Sequence, residues 1–420
     1  MEKNSISKNN LLQKINSFLT YGIALALIID CRSIWMSDPQ LHLDNLNYIF
    51  LVFCSVGSLI LLFQKNPNQD IGQLTIKILF IVIYFLFYLF LTKININLGI
   101  KLIIITCLFL WILFLDTSSS IPSIFLAYKN LIIIIAFISL FFWLFGSFLG
   151  IIHPTNYVPT AWGNKYGNAI YIPSYFNLYV QPQQVSLPVI GEIGRNSAIF
   201  TEGPMASLNF CMALLIELCD DQSKFKKRNY IILILSILST FSTTGYILLI
   251  FILYYKILFN SSNKILKIIF TIPVLVLAIV AVVYLFSQKM EYGSESTTVR
   301  LDDYKAGVIT WLQHPFLGSG LSNTNGIQQN MSAWRSYNTG FSNSIMEILA
   351  EGGIYLSLFY FYAFIKGLYS GVNKKNYNEL LMVISMFYLF VTTIFTYQYI
   401  LILFLIYFCN MNRSKDLIKS

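Results

Sequence analysis

Two polar stretches of the chain concentrate the side chains able to do chemistry. The first reads Gly194-Arg195-Asn196-Ser197-Ala198-Ile199-Phe200-Thr201-Glu202-Gly203-Pro204. The second holds Arg300, Trp311, His314-Pro315, Gly318-Ser319-Gly320 and Arg335, then Asn343-Ser344-Ile345-Met346-Glu347-Ile348-Leu349-Ala350-Glu351-Gly352-Gly353. A guanidinium group is a permanently charged, two-pronged donor suited to anionic oxygens. Glu347 and Glu351 are four residues apart, so they share one face of a helix beginning near Asn343. Carboxylates in a span are costly and tend to face a cavity, and either is a candidate proton acceptor.

Each residue also has a structural reading. An arginine near a bilayer often meets lipid phosphate or snorkels. Arg335 lies between Trp334 and Tyr337, where ring stacking competes with substrate contact. His314 before Pro315 suits a loop or a cap. Glu202 before Gly203-Pro204 suits a helix N-terminus, where negative charge is favoured. Glu351-Gly352-Gly353 suits a brace for a helix kink, and Gly318 and Gly320 suit a tight turn, since P-loop spacing is absent. The three histidines (His42, His153, His314) are far apart, and the six cysteines include no CxxC pair. No metal site and no cofactor is therefore expected.

The elements that must position these residues follow from composition. Hydrophobic residues make up 56% of the 420 and charged residues only 11%, with mean hydropathy +0.65. A soluble domain carries roughly 25% charged residues, so lipid must cover much of this chain. The net charge of +9 reads as Lys and Arg in cytoplasmic loops, and no nucleic-acid partner is expected. A span needs about 20 apolar residues. Candidates lie near 15–31, 46–63, 74–92, 98–115, 130–152, 203–219, 265–286, 345–366, 378–395 and 397–411. The run 229–258 is too long for one crossing, and its small polar centre, Ser239 to Gly245, predicts a short hairpin.

The expected fold is all-α, a polytopic integral membrane protein of about 11–12 transmembrane helices forming one membrane domain over 1–420. The first helix reads as an uncleaved span with a cytoplasmic N-terminus. Basic clusters at Lys224–Arg228, Lys256–Lys267, Lys366–Lys375 and Arg413–Lys419 fall on that same side if 229–258 is a hairpin. Two large loops, 153–202 and 287–344, then face away from the cytoplasm. The first is dense in aromatics, which suits packing at the membrane interface. In the second, Leu301, Tyr304, Val308, Trp311 and Leu312 recur at helical spacing, predicting a short amphipathic helix on the membrane surface, stopped before Pro315.

Taken together, these patches resemble the O-antigen ligase/polymerase superfamily, membrane enzymes that join lipid-linked sugar repeats. Arg195 with the following Phe-Thr-Glu-Gly-Pro resembles the family's arginine before the sixth span. The Arg300…Trp311…His314-Pro315…Gly318-x-Gly320 run resembles the start of its large loop, and Asn343 to Gly353 the motif entering the next span. Ser242-Thr243-Thr244-Gly245 is similar to a short Thr-Ser-Arg-Gly segment, without the arginine. Ligases of the family place a histidine before the Asn of the loop motif; here that residue is Ser342, which favours the polymerase branch.

The resemblance implies a GT-C-like glycosyltransferase in the bacterial cytoplasmic membrane, acting on undecaprenyl-diphosphate-linked oligosaccharides among membrane lipids. A chain-length regulator and a flippase are its implied partners. The leaving diphosphate gathers negative charge, so Arg195 and Arg300 are expected to hold it, with Glu351 as catalytic carboxylate. Substrate contacts are expected from Arg335, Glu202, Trp311, His314, Asn343 and Glu347. A ligase, or a flippase of the same lipid-linked repeats, is the competing expectation. Transporters are often built from structural repeats, and no half-to-half similarity is evident here.

Overall fold

A backbone N–H or C=O left open in hydrocarbon is expensive, so apolar runs close their hydrogen bonds internally as helices. The structure, a computed structural model, describes residues 2–37, 43–65, 71–116, 121–163, 169–187, 191–260, 294–335 and 339–411. Its first half contains α1 (Glu2–Asp30), the single turn α2 (Ile34–Ser37), α3 (Leu43–Lys65), α4 (Gly72–Thr92), α5 (Ile96–Leu115) and α6 (Ser123–Phe142), which continues as a π-helical turn over Trp143–Phe148. Then follow α7 (Gly203–Cys219), α8 (Lys226–Ser239), α9 (Thr243–Asn260), α10 (Ser294–Gln313), α11 (Thr324–Gln329), α12 (Ser344–Asn373), α13 (Tyr377–Thr392) and α14 (Tyr399–Asn410). Among the described residues six helices are long and apolar enough to cross a membrane, and α7, α9, α13 and α14 are shorter apolar helices. The chain is thus a mostly helical, polytopic membrane protein. The expected span near 265–286 and the basic residues Lys264, Lys267, Arg413, Lys415 and Lys419 lie outside the described residues.

Helices apolar all round belong in the centre of a bundle. Every residue of α7 except Pro204 is buried, as is the run Tyr399–Phe408 of α14. The 229–258 run folds as the expected hairpin, α8 and α9 joined through Thr240–Ser242. The expected span at 130–152 begins earlier, at Ser123, and that at 345–366 continues to Asn373.

One end of the bundle gathers the described basic residues Lys226, Lys256 and Lys374. Lys226 donates to the Asp220 carbonyl at 2.8 Å, Lys256 lies over the Tyr230 ring at 4.0 Å, and Lys374 donates to the Met411 carbonyl at 2.6 Å. Buried at this end, Lys129 of α6 pairs with Glu217 of α7 and with Asp220, each at 2.6 Å.

The opposite end carries the loops. The first loop departs from an all-helical expectation by forming two small antiparallel sheets. One joins β1 (Asn156–Gly163), β2 (Ala169–Tyr175) and β3 (Tyr179–Val180), with Val158 opposite Ile172 and Ser174 opposite Val180. Ile172 and Val180 pack on Ile34 after α1. The other is the hairpin of β4 (Gln184–Leu187) and β5 (Gly191–Gly194), which delivers the chain to Arg195.

The helix expected in the second loop is α10, and its polarity is turned outward. Asp302, Asp303, Ala306 and Thr310 are buried against the protein, while Leu301, Tyr304, Val308 and Leu312 form an exposed apolar stripe. Such a stripe suits a helix whose outer face meets lipid.

Candidate functional site

Arg195 follows β5 and reaches across to the tip of the α8–α9 hairpin. Its Nε donates to the Thr240 carbonyl at 2.9 Å, Nη2 to the Phe241 carbonyl at 3.1 Å, and Nη1 to Gln183 Oε1 at 3.1 Å. The first two acceptors close the C-terminus of α8, where open carbonyls favour a cation. A guanidinium has five N–H donors, and three of these are engaged here among the described residues. Asn196 strengthens the junction: its N–H donates to the Ser239 carbonyl at 2.9 Å and its Nδ2 to Ser239 Oγ at 2.9 Å. Burial draws the Arg195 guanidinium below its ordinary pKa, opposed by Glu202 and Tyr246 and reinforced by the positive charge of Arg300.

That last effect marks the two arginines as neighbours. Arg300 stands on the first turns of α10, half-buried, within electrostatic reach of Arg195, Tyr304 and Tyr388. It forms no ion pair with a carboxylate among the described residues. Glu202 occupies the N-cap position of α7 but its side chain makes no capping hydrogen bond. It turns instead to Arg32, 3.7 Å away. Glu202 thus stands at the helix N-terminus as expected, without a capping hydrogen bond, and its charge also acts on the arginines beside it. Arg32 itself stood in the sequence only as a residue past the first span, with no motif around it.

The glycine motifs form a second device. The loop His314–Gly320 lies against α12 where that helix bends. Ser319 N–H donates to the Ala350 carbonyl and Gly320 N–H to the Glu351 carbonyl, both at 2.8 Å. In return, Ile354 N–H reaches the Pro315 carbonyl at 2.9 Å and Tyr355 N–H the Phe316 carbonyl at 3.0 Å. The bend is at Gly353, with φ +58°. A Cβ there would come within 2.5 Å of the Phe316 carbonyl, and one at Gly318, φ +67°, would overlap the backbone of Glu351. Only glycine permits both the left-handed backbone and this approach. Tyr88 of α4 adds a hydroxyl at 2.9 Å from the Glu351 carbonyl and 3.1 Å from that of Leu317.

Glu351 is fully buried inside this device. Its Oε2 accepts from Tyr397 Oη at 2.5 Å and from Ser322 N–H at 2.9 Å, while Oε1 has no hydrogen-bond partner among the described residues. The carboxylate thus joins the loop, α12 and the segment before α14. Glu347, one turn earlier, is half-buried, beside Thr396 and within electrostatic reach of Arg32.

The remaining candidates fall elsewhere. Arg335 is almost wholly enclosed, 2.8 Å from Asp303 and 3.5 Å from Asp302, with further donors spent on the carbonyls of Val299 and Gly340. A substrate contact from so enclosed a guanidinium is not what this geometry offers; it ties α10 to the loop beyond α11. Ser342 lies beside Asp303 in the same cluster. Trp311 donates to the Pro315 carbonyl at 3.2 Å, closing the turn after α10. Asn343 is the N-cap of α12, its side chain accepting from Met346 N–H at 2.9 Å. His314 is exposed, beside a cavity of about 370 Å³ between its loop and Leu91, Thr92 and Ile94. Among the described residues no group of three or more His, Cys, Asp or Glu side chains is placed to hold a metal ion.

The geometry brings Arg32, Arg195, Glu202, Arg300 and Glu347 to one end of the bundle, with more positive than negative charge. Residues 229–361, about a third of the chain, match the family model described as O-antigen ligase. This stretch covers the hairpin that Arg195 caps, α10 with Arg300, and the glycine-locked bend. No curated protein matches the chain.

Proposed function

The match over residues 229–361 supports a place in the O-antigen ligase/polymerase superfamily, as a glycan-transferring membrane enzyme, and from that premise we propose that the chain is a repeat-unit polymerase. It transfers a growing glycan from polyprenyl diphosphate to a hydroxyl of a new lipid-linked repeat at the outer face of the bacterial cytoplasmic membrane. The observation that carries this reading is that Arg195, fixed on the α8–α9 hairpin, and Arg300, on α10, come from two different loops to within electrostatic reach of each other. Two neighbouring guanidinium groups suit an anion that offers oxygens on two centres, and a diphosphate is the anion the reaction releases.

In this scheme the two N–H groups of Arg195 not engaged by Thr240, Phe241 and Gln183 meet one phosphate, and Arg300 meets the other. Donors fixed in advance and aimed at developing charge are worth about 10²–10³ in rate each. Glu347 accepts the hydroxyl proton, being the more accessible of the two α12 carboxylates. Glu351 positions the bend that carries Glu347. The exposed stripe of α10 rests on the outer leaflet, which puts Arg300 at headgroup depth. Both large loops lie on that outer side, opposite the basic clusters.

A ligase is the second reading, favoured by the matched family's description as O-antigen ligase. Against it, the position where the resemblance places the ligases' histidine is Ser342, whose hydroxyl has no basic nitrogen to take up a proton. Glycan length on a gel separates the readings, in a deletion strain complemented with wild type, Arg195→Ala or Arg300→Ala. A polymerase leaves single lipid-linked repeats at the outer leaflet when the protein is lost or either arginine is removed. Full-length polymer that fails to reach its final acceptor indicates the ligase, and repeats held at the cytoplasmic face indicate a flippase.

A further inference from the structure

The chain turns sharply after α1 at Arg32, whose φ of +55° is uncommon for a residue with a Cβ. Backbone pairing imposes the turn. Thr201 N–H donates to the Arg32 carbonyl at 3.1 Å and Ile34 N–H to the Ile199 carbonyl at 2.8 Å. Residues 32–34 are thereby stitched to the segment that runs from Arg195 to Glu202. Ala198 and Phe241, beside Arg195, also have left-handed backbones, at φ +47° and +50°. Strained residues held in place by their surroundings cluster at functional sites.

The Arg32 side chain is 40% exposed and faces Glu202 across 3.7 Å. That separation exceeds a hydrogen bond, and a half-solvated pair of this kind is weak. Glu202 acts electrostatically on Arg195, and Arg32 on Glu347. Arg32 is thus a preset cation, loosely held, between the arginines and the half-buried carboxylate.

We propose that Arg32 is a third diphosphate-contacting arginine, held by Glu202 in the free protein and released to the leaving group as its last negative charge forms. The inference rests on the diphosphate-donor reading above, and charge counting directs it. A diphosphate joined to lipid at one end and sugar at the other carries one charge on each phosphate, which Arg195 and Arg300 match. During transfer the acceptor oxygen bonds to the anomeric carbon and its proton passes to Glu347. The bond from that carbon to the phosphate oxygen breaks, its electron pair stays on the phosphate, and a third negative charge appears. A cation that meets this charge alone favours the transition state over the bound substrate, which is what raises the rate. Glu202 keeps Arg32 occupied until then.

Equilibrium binding to the full-length protein in lipid nanodiscs tests this with two probes, farnesyl diphosphate and its methyl diester, which lacks the third charge. The wild type should prefer farnesyl diphosphate. Arg32→Ala should weaken farnesyl diphosphate by roughly ten- to a hundredfold and leave the diester nearly unchanged, erasing the preference. Glu202→Gln, which keeps the backbone turn, should tighten farnesyl diphosphate. An undiminished preference in Arg32→Ala, or no tightening in Glu202→Gln, while Arg195→Ala weakens both probes, overturns this inference and leaves the donor reading standing. If the wild type binds neither probe, or Arg195→Ala weakens neither, the donor reading fails and this inference with it.

Discussion

The two ends of the bundle treat charge in opposite ways. At the basic end Lys129 is enclosed between Glu217 and Asp220, 2.6 Å from each. Asn229 and Ser223 donate to Glu217 Oε1 at 3.0 and 2.5 Å. At the loop end Arg32, Arg195 and Arg300 share a single ion pair among the described residues, the 3.7 Å contact of Arg32 with Glu202. A buried charge cluster closed on itself holds helices together, because each desolvated group has its partner in place. An incompletely answered set of cations has room for an anion from outside. The same residue types thus serve structure at one end and a ligand at the other, and what separates them is the fraction of donors already used. Arg335 sharpens the contrast, since it stands at the loop end yet is closed like Lys129, on Asp303 and Asp302.

Substitutions should divide along that line. Lys129→Ala and Arg335→Ala each strand buried carboxylates and should cost about 3–5 kcal/mol of stability, seen as a lower unfolding temperature in detergent, with transfer per folded molecule unchanged. Arg195→Ala and Arg300→Ala should invert the pattern, lowering transfer about 10²–10³-fold at normal protein levels; Arg195→Ala should also lose some stability through the uncapped hairpin. Gly353→Ala should destabilise by about 1–3 kcal/mol, read by thermal unfolding, because the bend needs φ +58° and a Cβ would crowd Phe316. The smallest effect is expected from Glu202→Gln, a change in stability below about 1 kcal/mol, since its pair with Arg32 is long and partly solvated. Equal loss of transfer in Lys129→Ala and Arg195→Ala folded fractions would erase the distinction between the ends.

The parts legible in the sequence were those written in local pattern. Apolar runs marked the helices, the polar centre of 229–258 marked the hairpin, and the recurrence of Leu301, Tyr304, Val308 and Leu312 marked α10. The strands of the first loop were not legible, because Pro159 and Pro173 interrupt their pattern and the aromatics read as interface packing. Arg32 was invisible for another reason: its place depends on pairing with Ile199 and Thr201, far away in sequence. The same holds for Glu351, whose partners Ser322 and Tyr397 come from separate elements. Gly318-Ser319-Gly320 and Gly352-Gly353 read separately as a turn and a kink. Their mutual contact, which makes them one device, has no one-dimensional signature.

The most direct test of a shared diphosphate is a double-mutant cycle on Arg195 and Arg300. The purified protein would be reconstituted with lipid extract from a strain lacking it, so that native lipid-linked repeats serve as donor and acceptor, and glycan transfer timed for wild type, Arg195→Ala, Arg300→Ala and the pair. Residues acting on one leaving group are strongly non-additive, so the double variant should be little slower than the worse single one. Losses that combine additively in free energy, within about 0.3–0.5 kcal/mol, would mean that the two arginines act independently and would contradict the shared site.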